Sequence, residues 1–103
     1  MKYIITENQL RKVQFKYLDF LFEDIYEVME PEIPNTIFFK KDSEIVFAIK
    51  TRRYNELEVS YPIWKNIEDM FSLDYGSTQD LMEEWAEQHL GFGKIRAESV
   101  DFF

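Results

Sequence analysis

Residues 36–61, TIFFKKDSEIVFAIKTRRYNELEVSY, hold three runs of β-branched and aromatic residues separated by two polar turns, and no other stretch limits the fold so tightly. In the middle run Ile45, Phe47 and Ile49 alternate with Val46, Ala48 and Lys50. A run apolar on both faces suits a central strand with a neighbour on each side. In the last run Leu57, Val59 and Tyr61 point one way and Glu56, Glu58 and Ser60 the other, the pattern of a sheet with one buried and one wet face. A one-residue slip there would bury Glu56 and Glu58, so its register is firm. Thr36 to Phe39 supply the first strand, ending in Lys40 and Lys41. Neither turn, Lys41 to Glu44 or Arg52 to Asn55, carries the Asn-Gly pair that secures a two-residue hairpin, so loops of three to five residues are expected. Asn55 is expected to take a left-handed backbone in the second.

Such a meander must be covered on its apolar face, and the flanks read as helices. Thr6-Glu7-Asn8-Gln9 matches a capping box. From Leu10 to Met29 the apolar residues Leu10, Val13, Tyr17, Leu18, Leu21, Ile25, Val28 and Met29 recur at helical spacing. Phe15, Phe20, Phe22 and Tyr26 lie partly off that stripe, so the helix is either buried on two sides or offers rings to a partner. Pro31 and Pro34 end it. Pro62 opens a second helix with Ile63, Trp64, Ile67, Met70 and Phe71 inside, and Gly76 is expected in a left-handed break after it. Ser77 or Thr78 caps a third helix with Leu81, Met82, Trp85, Ala86, His89 and Leu90 inside and Glu83, Glu84 and Glu87 outside, closed by Gly91. Lys94 to Glu98 offers a further strand, and Met1 to Ile5 an edge strand. The expected fold is α+β in two layers: an antiparallel meander of three strands, four with the last, and three helices mainly on one face, in the order α-β-β-β-α-α-(β). It occupies one domain, residues 1–103.

The net charge of −8 argues against a general nucleic-acid binder, because neutralising phosphates needs a basic surface. The flanks hold the acidity: residues 1–35 carry four cations and seven anions, residues 62–103 three and nine, and residues 36–61 five and four. No apolar run approaches the roughly 20 residues that span a bilayer, so no membrane partner is expected. With no cysteine and no leader-like start, the expected location is the cytoplasm, of a host or within a virion if the chain is viral. Aromatic residues are 17%, more than one small core needs, and rings are enriched at binding surfaces.

Catalysis has little to draw on. His89 is the one histidine and sits on an inner helical stripe, where a packed imidazole is the plainer reading. The three glycines are too scattered to cradle a phosphate. Asp80, Glu83, Glu84 and Glu87 share one helix but lack a calcium-loop pattern, and read as a solvated face. No catalytic or metal-binding residue, cofactor or small-molecule ligand is assigned. Lys40, Lys41, Lys50, Arg52 and Arg53 gather at the turns with Phe38, Phe39 and Tyr54 between them. That arrangement suits single-stranded nucleic acid, but Asp42, Glu44, Glu56 and Glu58 share the region.

The opening, Met1-Lys2-Tyr3-Ile4-Ile5-Thr6-Glu7-Asn8-Gln9-Leu10, resembles those of small proteins encoded by tailed bacteriophages and marine bacteria, which implies a phage accessory or virion protein. It carries no active-site motif. The function expected is therefore a small acidic non-enzymatic module that binds a protein partner or itself through Phe15, Phe20, Phe22 and Tyr26, with Phe102 and Phe103 as a docking tail. The alternative is an acidic mimic of nucleic acid that presents Asp80, Glu83, Glu84 and Glu87 to a host nucleic-acid-binding protein.

Overall fold

A computed structural model describes residues 7–51 and 55–102. The elements run α1 (Glu7–Leu21), β1 (Tyr26–Val28), β2 (Thr36–Lys41), β3 (Glu44–Thr51), β4 (Asn55–Ser60), α2 (Tyr61–Phe71), α3 (Tyr75–His89) and β5 (Ile95–Val100). The chain is α+β, and the described residues form three helices and one five-stranded mixed sheet in sequence order. The central meander is as expected, with β3 between β2 and β4 in antiparallel register.

Two strands extend it. β1 pairs antiparallel with β2, matching Tyr26 to Lys40 and Val28 to Phe38. β5 pairs with β4 in parallel, matching Leu57 to Ala97, so the sheet is not purely antiparallel. Parallel pairing needs a connection that carries the chain back along the sheet, and α2 with α3 is that connection. The expected edge strand at Met1 to Ile5 and the residue Thr6 of the capping box lie outside the described residues.

Cross-strand rows separate the two faces. Phe39, Phe47 and Val59 form one row on the helix side, and Ile37, Ile49, Leu57 and Ala97 another. Leu18 and Phe22 of the first helical region, Trp64 and Ile67 of α2, and Leu81, Met82 and Trp85 of α3 close over them as one core. Thr36, Lys50, Glu56 and Arg96 make a row on the open face, where opposite charges stand across from each other and Lys50 Nζ lies 3.1 Å from Glu58. Between Phe39 and Lys40 the register shifts, leaving Val46 of β3 without a partner on β2, a bulge.

Several local expectations are corrected. The first helix does not reach Met29. It ends at Leu21, the Glu23 amide reaches back to the Phe20 carbonyl at 3.4 Å, and Asp24 turns left-handed at φ 59°. Ile25, Glu27 and Tyr26, Val28 alternate as well as they fit a helix, and pairing with β2 decides for the strand. The β2–β3 turn has two residues, not three to five: Asp42 and Ser43 both take positive φ, 52° and 69°, the conformation an Asn-Gly pair would favour. Asn55 begins β4 and its side chain donates to the Phe92 carbonyl; Arg52 to Tyr54 lie outside the described residues. Tyr61 starts α2 rather than ending the strand before it. The left-handed break after α2 falls on Ser72, φ 53°, while Gly76 lies in the first turn of α3. Asp74, not Ser77 or Thr78, caps α3, its Oδ1 accepting from the Ser77 amide at 2.7 Å. The Ser77 backbone and side-chain hydrogen bonds hold the Asp74 carboxyl below its ordinary value.

Candidate interaction surface

The placement of α1 decides which of its side chains remain available. Its buried line is Gln14, Leu18 and then Phe22, spaced four apart. One flank is fixed to α3. Arg11 Nε lies 3.3 Å from Glu84, and the Trp85 indole donates to Asp19 Oδ1 at 2.9 Å. His89 stacks on Trp85 with ring centroids 5.3 Å apart, meets the edge of Phe15 at 5.6 Å, and brings Nε2 to 3.6 Å from the same Asp19 oxygen. Its Nδ1 lies 3.0 Å from the Trp85 carbonyl oxygen. The other flank touches α2: the Tyr17 hydroxyl donates to Asn66, and its ring meets the edge of Phe71 at 5.5 Å.

The residues between those flanks are bare. Val13 is 52% exposed and Phe20 63%, with Leu10 exposed beside them. They stand one turn from Tyr17 on either side, and Met70 of α2, 55% exposed, stands one turn beyond Asn66. An apolar face thus runs along α1 and onto α2, and Lys12 and Lys16 border it, both exposed.

The rings singled out in the sequence divide. Phe20 lies on the bare face. Phe15 is half-buried against the core and His89. Phe22 is a correction: at 5% exposure it sits between Phe47 and Trp85, with ring centroids 5.1 and 4.9 Å away, and offers nothing to a partner. Tyr26 is exposed, but on β1, opposite Lys40 of β2 rather than on α1. Phe102 folds back to line a groove of about 460 Å³ with Lys40, Ile45, Pro62 and Ile63, and Phe103 lies outside the described residues. Sequence reasoning missed Leu10, Val13 and Met70 because it assigned them to core stripes; helical spacing does not say which side of a wide apolar surface faces in.

Three of the four carboxylates of α3 have partners of their own. Glu83 Oε2 accepts from the Ala97 amide and Glu87 Oε1 from the Ile95 amide, each at 3.3 Å, while Glu84 pairs with Arg11 and Asp80 is exposed. Gln79 donates to the Ala97 carbonyl at 2.8 Å and the Tyr75 hydroxyl accepts from the Ser99 amide at 3.0 Å. Tyr75, Gln79, Glu83 and Glu87, one turn apart, therefore satisfy the side of β5 that has no strand neighbour among the described residues. In the basic, aromatic meander Phe39 is core, Phe38 and Lys50 are half-buried on the open face, and Lys50 is paired with Glu58.

Among the described residues no group of three or more His, Asp or Glu side chains could hold a metal ion, and no helix is long and apolar enough to cross a membrane. Comparisons with protein-family models, curated proteins and solved structures find no match.

Proposed function

We propose that this chain is a small non-enzymatic interaction module whose contact surface is the bare face of α1, centred on Val13 and Phe20 and continued by Leu10 and Met70. One observation carries the reading: α1 is fixed on both flanks by specific bonds to α2 and α3, yet it keeps two large apolar side chains more than half exposed between them. A rigid helix presenting apolar residues one and two turns apart is the geometry of helix-to-helix recognition. The opening ten residues resemble those of small phage proteins, and a role as an accessory or virion protein is part of this reading. The alternative, an acidic mimic of nucleic acid, has less support, since Glu83 and Glu87 are engaged with β5 and Glu84 with Arg11.

The test replaces Val13 or Phe20 with a photocrosslinking residue in the intact protein, in its native setting, with Glu98 as the control position. Adducts from positions 13 and 20 but not 98 are expected. Equal labelling from all three, or none from any, contradicts the reading.

A further inference from the structure

We infer that the occupant of this face is α1 of a second copy of the chain, packed antiparallel about a two-fold axis; this rests on the proposed interaction role and names the partner. Lys12, Lys16 and Asp19 follow one another on α1 at intervals of four and three residues and form a stripe beside Val13 and Phe20, and Glu23, in the turn that continues from the helix end at Leu21, follows four residues on. Its charge order is two cations and then two anions. Lys12, Lys16 and Glu23 are exposed and have no ion pair among the described residues, whereas Asp19 is held by Trp85.

A copy laid alongside in the same direction puts the two stripes on opposite sides of the contact, so neither meets the opposite charges of the other. A reversed copy in which Val13 meets Phe20 sets Lys12 beside Glu23 of the second copy and Lys16 beside its Asp19, twice over, because a two-fold axis repeats every contact. The same reversal packs Val13 against Phe20 of the second copy and Phe20 against its Val13. Charge complementarity and apolar complementarity are therefore satisfied by one orientation.

Other ways for copies to meet are less open. The outer side of β5 already has its amides and a carbonyl bonded to α3 side chains. β1 lies in residues 19–32, where Asp19, Glu23, Asp24, Glu27, Glu30 and Glu32 occur without a single Lys or Arg, so two such edges repel. A 15-residue helix is roughly 22 Å long, which makes a small contact, and the association is correspondingly weak and sensitive to salt.

Sedimentation equilibrium of the full chain at low ionic strength, from micromolar to millimolar concentration, reads it directly. The parent protein is expected to form dimers and nothing larger. The variants Lys12→Glu/Lys16→Glu and Glu23→Lys, each checked for an unchanged circular dichroism spectrum, are each expected to associate at least about tenfold more weakly. An equimolar mixture of the two restores dimers, because both contacts between positions 12 and 23 then join opposite charges. A monomeric parent, undiminished variants, or a mixture no stronger than its components each overturns the proposal. If the parent is monomeric while positions 13 and 20 crosslink to a different protein, the second copy is wrong and the interaction role stands; if it is monomeric and no position crosslinks, both fall.

Discussion

Phe20 and Phe22 sit two residues apart in the sequence, and the end of one helix sends them to opposite environments. Phe22 closes the core over Phe47 and Trp85, so Phe22→Ala removes a packed ring and is expected to cost about 3–5 kcal/mol of stability in denaturant unfolding. Phe20→Ala deletes a ring that is mostly in water and should move stability by no more than about 0.5 kcal/mol. Similar losses for the two would contradict the placement of α1. Asp74 offers a pH test at the same scale. Its carboxyl is held below the ordinary value of 3.8 in the fold, so its contribution is fully present above that pH and is lost as pH falls through the lowered value. Asp74→Ala is expected to melt earlier than the parent at neutral pH, with the gap closing in strong acid; a gap that stays constant down to that range would exclude the cap as the cause. Ser43 stands at φ 69°, where glycine is free of strain, so Ser43→Gly is expected to raise stability by about 0.5–1 kcal/mol in the same unfolding measurement.

At the scale of elements, α3 does two jobs: one face enters the core and one edge bonds the outer side of β5. The bonds are specific enough to test singly by amide hydrogen exchange. Tyr75→Phe should accelerate exchange at Ser99, Glu83→Ala at Ala97 and Glu87→Ala at Ile95, each roughly two- to tenfold and with little effect at the other two. Uniform acceleration along β5 would mean that the side chains support the helix rather than the strand edge. Much of this layer was legible in the sequence. The period-two run at Leu57 and Val59, the buried pair Trp64 and Ile67, and Gly91 at φ 72° after α3 stand as the spacing implied. Strand β1 was not legible, since three residues fit helix and strand equally and only β2 distinguishes them. The four-residue spacing of Tyr75, Gln79, Glu83 and Glu87 was visible, but their partners are backbone groups on a strand between 8 and 24 residues away, and spacing on one element does not reveal that.

For the whole molecule, the sheet's direction and its edges decide what is left to meet another surface. Periodicity identified the fifth strand but not its parallel pairing, which depends on where two helices carry the chain. Once placed, β5 is bonded on both sides, β1 is short and surrounded by carboxylates, and the open face of the sheet carries alternating charge. Among the described residues the apolar face of α1 combines an exposed ring with bordering charge of both signs. Amide chemical-shift mapping of the intact protein across a concentration series at low salt tests this most directly. Shifts confined to residues 10–23 and the neighbourhood of Met70, reversed by added salt, are expected. Shifts centred instead on Tyr26, Met29 and Ile33, or along β5, would contradict it.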